Sequence, residues 1–143
     1  MRKILTIVVI CSIVLSLIAC STYGELSIEI PYTAYSVDVG AFTIWLVNET
    51  EVDAISNGIY RIERLVEEET EEWKHIHFSI DEQSLALENP IILRSGTRWP
   101  FAIHLFFEHT LEAGTYRLVK TFVWNGETVE RTSEFELREK KSR

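Results

Sequence analysis

From Leu26 to Leu137 the apolar side chains recur at every second position, and this period of two constrains the fold more than any other feature of the chain. Successive side chains of an extended strand point to opposite faces, so alternation builds a ribbon with one apolar face. Leu26-Ser27-Ile28-Glu29-Ile30 alternates and stops at Pro31. Phe42, Ile44 and Leu46 share one face, with Thr43, Trp45 and Val47 on the other. Tyr60 to Leu65 and Trp73 to Phe78 flank the acidic stretch Glu67 to Glu72, which reads as a hairpin tip. Trp99, Phe101, Ile103, Leu105 and Phe107 follow at spacing two, and then Tyr116, Leu118 and Phe122 lead to Trp124. The last run sets Val129, Phe135 and Leu137 against Glu130, Thr132, Glu134 and Glu136. No 3.6-residue stripe long enough for a core helix occurs in this region; Asp81 to Leu87 has room for one helical turn.

Turn signals separate these runs. Asn125-Gly126 is the strongest, because both residues tolerate positive φ and so suit a two-residue hairpin turn. Ser56-Asn57-Gly58, Ser95-Gly96 and Ala113-Gly114 punctuate the rest. Seven runs with such spacing predict an all-β fold, a β-sandwich of about seven antiparallel strands over residues 26–138. Residues 139–143 form a basic tail. There is no internal repeat and no long linker, so one domain is expected. Its two cysteines, Cys11 and Cys20, both precede the alternating region, which therefore has neither a disulfide nor a thiolate metal site. The formal charge of −8 argues against nucleic acid, because phosphate binding requires clustered Lys and Arg.

The first residues obey another rule. Arg2 and Lys3 precede an uncharged run from Ile4 to Ala19. As a helix rising ~1.5 Å per residue it would extend about 24 Å, short of the ~30 Å hydrocarbon core of a bilayer. A cationic start, an apolar stretch and a small-residue end describe a secretory signal. Leu17-Ile18-Ala19-Cys20 resembles the lipobox of bacterial lipoproteins. That resemblance implies a signal peptide over 1–19, cleavage before Cys20 and a diacylglyceryl group on its thiol. The alternative is an uncleaved N-terminal helix with an incidental cysteine. Two or more acyl chains hold a protein on a membrane where one is marginal. Cleavage would move the formal balance from −8 to −10 by removing Arg2 and Lys3. Residues 20–25 would then be a short tether to the extracytoplasmic face of the cell membrane.

Leu111-Glu112-Ala113-Gly114-Thr115-Tyr116 resembles the tyrosine corner of immunoglobulin-like sandwiches, in which a ring beside the core sends its hydroxyl back to upstream backbone. With Phe42 to Asn48, Asn57 to Leu65, Trp73-Lys74 and Glu134 to Leu137, the chain is similar to the bacterial Ig-like domain of small secreted and lipid-anchored proteins of Gram-positive bacteria. The resemblance covers roughly residues 40–137 and lacks the cysteine pair of antibody domains. It implies the fold and leaves the role open, since such sandwiches carry many functions.

Candidate chemistry is sparse. His75 and His77 lie on one strand face, at a spacing known from metal sites, with Trp73 on the same face; a partly exposed strand with ordinary histidines explains them as well. Glu67 to Glu72 lacks the glycine and alternating Asp or Asn of a calcium loop and reads as a solvated tip. No nucleophile elbow and no glycine-rich phosphate loop occurs, so neither catalysis nor a cofactor is expected. The tryptophans carry the best functional signal. An outward Trp can anchor a protein partner or stack on a sugar, and Trp45, Trp73 and Trp124 are the candidate contact residues. The reading is a lipid-anchored, extracytoplasmic binding or accessory module that recognises an envelope protein, joined to the membrane through Cys20. Carbohydrate or small-ligand binding through an exposed Trp is the alternative, with metal binding by His75 and His77 behind it.

Overall fold

The computed structural model describes residues 24–77, 90–105 and 111–140. These form ten strands: β1 (Leu26–Glu29), β2 (Ala34–Ser36), β3 (Ala41–Asn48), β4 (Ala54–Ser56), β5 (Arg61–Glu67), β6 (Glu72–Ile76), β7 (Ile91–Leu93), β8 (Thr97–His104), β9 (Gly114–Trp124) and β10 (Glu127–Arg138). One sheet has the order β1-β3-β8, and the other runs β2-β10-β9-β4-β7, with β5 on β9 and β6 beyond it. The architecture is the all-β, Ig-like sandwich that the alternation and the tyrosine corner imply.

Each of the seven expected runs coincides with a strand. The three additional strands, β2, β4 and β7, have three residues each. A run that short holds too few positions to display a period. One pairing departs from the expected antiparallel pattern: β2 runs parallel to the end of β10, with Ala34 opposite Glu136 and Ser36 opposite Arg138. At the level of Glu136, β10 therefore lies between β9 and β2 and is not an edge strand. The expected helical turn at 81–87 lies outside the described residues.

The core follows from the alternation. Ile44, Leu46 and Ile103 of the smaller sheet meet Ile62, Leu118, Phe122 and Phe135 of the larger one, all at most 2% exposed. Burying a side chain of this size contributes about 1.5–3 kcal/mol. Tyr35 stacks on Phe42 at 4.4 Å between centroids, and Phe42 meets Phe135 edge-on at 5.3 Å. Tyr116 closes the corner, its hydroxyl donating to the Glu112 carbonyl at 2.7 Å. Burial pushes its pKa up, so the hydroxyl keeps the proton it donates. The β9–β10 hairpin turns at Asn125 (φ 51°) and Gly126 (φ 77°), the paired positive values that their sequence suggests.

Polar links join the two sheets at their margins. Arg131 Nε donates to the Leu26 carbonyl at 2.8 Å, holding β1 to β10. Tyr60 Oη donates to the His104 carbonyl and accepts from the His104 amide, both at 2.8 Å, tying the entry of β5 to β8. Asn48 Nδ2 reaches the Leu93 carbonyl at 2.8 Å, and Ser95 Oγ donates to the Thr50 carbonyl at 2.7 Å.

One cation lies inside the sandwich. Lys120 is fully buried between Leu118 and Phe122 on the inner side of β9. Along that strand, β5 pairs with residues 116–119 and β4 with 122–124. Between them residues 57–60 leave the ladder. Lys120 Nζ donates to the freed carbonyls of Asn57 and Ile59, the latter at 2.9 Å, and lies 4.2 Å from the Phe101 ring centre. The lysine thus bridges an interruption in the sheet.

Candidate binding face

The outer face of the larger sheet is built by β6, β5, β9 and β10. The register puts His75 opposite Glu63, Glu63 opposite Arg117, and Arg117 opposite Glu134. Glu63 is the hub. Its Oε1 accepts from Arg61 Nε at 2.7 Å and its Oε2 from Arg117 Nε at 2.5 Å. Arg61 also reaches both carboxylate oxygens of Glu130, at 3.2 and 3.4 Å. The Arg117 guanidinium lies over the Trp73 ring, 4.4 Å from its centre. A carboxylate, two guanidiniums and an indole are therefore held in one geometry by mutual contacts.

Burial works to raise the pKa of Glu63, whose side chain is only 10% exposed. The hydrogen bonds and positive charge of Arg61 and Arg117 outweigh it and hold the carboxyl below the usual carboxylate range. A depressed folded-state pKa gives stability that is present above the unfolded pKa and lost as pH falls through the folded one. Glu63→Gln should therefore destabilise the domain by about 1–3 kcal/mol near neutral pH, the value of hydrogen bonds to a charged group. Urea titrations at neutral and acid pH check this: the difference from wild type should close on acidification. A difference independent of pH would count against the charged network.

The expected contact residues fall in three places. Trp73 stands on this outer face beneath Arg117. Trp45 is on the outer face of the smaller sheet, across from Glu29 and Pro100. The Arg98 guanidinium lies over it at 4.6 Å and pairs with Glu29, so a long neighbouring side chain covers the indole. Trp124 is on the inner side of β9 and packs against the core, which removes it from the outward set. The structure brings none of the three together. Cys20 lies outside the described residues. His75 and His77 stand side by side with ring centres 4.6 Å apart, and among the described residues no group of three or more His, Cys, Asp or Glu could hold a metal.

Several residues escaped the sequence reading. Arg98 and Arg117 cover the tryptophans, and cross-strand register is the signal that would have found them. Trp99 shares its parity with Phe101 and Ile103 and was expected inside, yet it is half-exposed near the end of β8. Lys120 occupies an inner position that alternation marks but that its charge disguises.

Two open grooves lie among the described residues. A groove of about 490 Å³ between β2 and the end of β10 is lined by Ala34, Tyr35, Ser36, Asp38, Arg138, Glu139 and Lys140; Lys140 pairs with Asp38 at 3.0 Å and Arg138 with Glu136 at 2.6 Å. A cleft of about 180 Å³ lies beside Glu29, Asn48, Gly96 and Arg98.

No curated protein matches the chain in sequence. Among solved structures, the fold is similar to a chain of the CsuC–CsuE chaperone–tip adhesion subunit pre-assembly complex from the archaic chaperone-usher Csu pili of Acinetobacter baumannii, with TM-score 0.50 and 14% identity. The similarity covers 82% of this chain and 58% of that one, so this chain spans less than two thirds of its neighbour. At that identity the likeness concerns the fold alone. The family model for the bacterial Ig-like domain matches residues 23–136, most of the sequence, and the protein belongs to that family.

Proposed function

We propose that this protein is a lipid-anchored Ig-like module that works at the extracytoplasmic face of a membrane by binding an envelope protein, without catalysis. The observation that carries the reading is the Trp73–Arg117–Glu63 arrangement. Trp and Arg dominate the binding energy of protein interfaces, and a pair already fixed in place loses little side-chain entropy on association. The Arg117 cover over Trp73 favours a protein surface over a sugar, which needs the open face of a ring. The chaperone–adhesion subunit complex that supplies a similar fold is itself a protein–protein assembly, in keeping with this reading.

Photo-crosslinking in intact cells tests it. A benzophenone side chain replacing Glu134, exposed on this face opposite Arg117, should capture one envelope protein reproducibly. The capture should be lost in an Arg117→Ala background and in Cys20→Ala, which removes the anchor. A probe replacing Thr43, on the opposite sheet, should not capture that protein. Equal capture from both sheets, or capture insensitive to Arg117, would overturn this face as the binding surface.

A further inference from the structure

Exposed apolar side chains concentrate at one end of the sandwich. β9 ends there at Trp124, β4 begins at Ala54 and β7 ends at Leu93, all in one register row. The next row in is Val123, Ile55 and Ile92, side by side on three neighbouring strands and 43%, 45% and 59% exposed. In the smaller sheet the same end is marked by Leu26, Asn48 and Thr97, and Trp99 lies two residues from it, 49% exposed. Val52 is exposed in the loop that joins the sheets at this end. Of eight large apolar side chains exposed among the described residues, these are five. Tyr32 and Val66 lie toward the opposite end and Ile59 in the interruption between β4 and β5.

The N-terminal segment enters the domain at this same end. The Glu49 amide donates to the Glu25 carbonyl at 3.1 Å, and a Cβ on Gly24 would come within 1.9 Å of the Glu49 carbonyl oxygen. Gly24 is therefore pressed onto the loop after β3, and the chain leaves the sandwich from a fixed point. Only Ser21, Thr22 and Tyr23 separate it from Cys20. At ~3.5 Å per residue the span from Cys20 to Gly24 is about 14 Å at most. With acyl chains on Cys20, this end of the domain is held within about 14 Å of the anchored residue, close enough to reach a headgroup layer about 5–8 Å deep.

We infer that the Val123–Ile55–Ile92 row, with Val52 and Trp99, is a membrane-contact surface that rests in the headgroup layer of the bilayer to which Cys20 is attached; this rests on the anchoring proposed above. Tryptophan favours that depth, where its ring is shielded and its N–H stays wet. The contact is apolar, because Glu49, Glu51, Asp53 and Glu127 outnumber Arg94 and the Glu29-paired Arg98 at the same end, and the net negative charge repels anionic headgroups. It fixes one orientation of the module, with the acidic β5–β6 tip turned away from the membrane.

The test uses the full lipidated chain in vesicles of phosphatidylcholine containing a fraction of lipid brominated near the top of the acyl chains. Bromine should quench the tryptophan emission, and Trp99→Phe should abolish roughly half or more of that quenching. Ile92→Asp and Val123→Asp should each reduce it with unchanged circular dichroism, and replacing part of the lipid with phosphatidylglycerol should weaken it. No quenching in a chain whose N-terminal peptide has the mass of a lipidated Cys20 would overturn the contact while leaving the anchor intact. A peptide without acyl mass would overturn the anchor. Dimers in detergent that dissociate with Ile92→Asp, without quenching in vesicles, would assign the row to a second copy and also overturn the proposal.

Discussion

Lys120→Ala should destabilise the domain by about 3–5 kcal/mol, a large part of the 5–15 kcal/mol that holds a typical domain folded. Two losses combine. Truncation leaves a cavity between Leu118, Phe122 and Phe101, and the carbonyls of Asn57 and Ile59 lose the donor that meets them where β4 and β5 leave the ladder. Lys120→Met separates the two. It keeps most of the volume and removes the ammonium, whose desolvation opposes folding, so its cost should be smaller, about 1–3 kcal/mol. Urea unfolding followed by tryptophan emission and circular dichroism measures both variants. A loss within 1 kcal/mol of zero for Lys120→Ala, set against the larger cost expected of a buried truncation, would show that the interruption is held by other contacts.

Tyr116→Ala should have an effect of similar size, about 3–5 kcal/mol, because it empties a space between Phe135 and the Arg64 side chain at the corner. Tyr116→Phe keeps the ring and removes only the bond to the Glu112 carbonyl, which lies near solvent and can recruit water. Its expected cost is about 1 kcal/mol. The same denaturation series provides the comparison. If the Phe variant were as unstable as the Ala variant, the hydroxyl and not the buried ring would be holding the corner.

The long strands were legible because their period is visible over many residues: β3, β9 and β10 each repeat apolar and polar positions across eight or more. Asn125-Gly126 and Leu111 to Tyr116 were legible because local chemistry determines them. The three-residue strands were not, since partners far along the chain create them. Trp99 obeyed the parity rule and still met solvent, because parity assigns a face and says nothing about where the opposing sheet ends. Lys120 obeyed the rule as well, but a lysine is read as a surface residue unless the carbonyls awaiting it are known. For the candidate face, alternation placed Trp73 on the face of His75 and His77. The Arg117 cover and the Glu63 hub depend on register between β5, β6 and β9, which the chain does not display one strand at a time.

The parallel pairing of β2 with the end of β10 has a mechanical consequence. β1 and β2 advance away from the end where Gly24 enters, and β10 runs in the same direction to Arg138. Tension applied between Gly24 and Arg138 would, once β1 has parted from β3, drag β2 back toward the end where Gly24 enters while drawing β10 away from it. The β2–β10 bonds then lie across the load and are strained together, as in shear, instead of parting one after another like a zip. Pulled through this axis the domain should yield abruptly, at a force set by the four pairs of β1 with β3 and then by the three of β2 with β10.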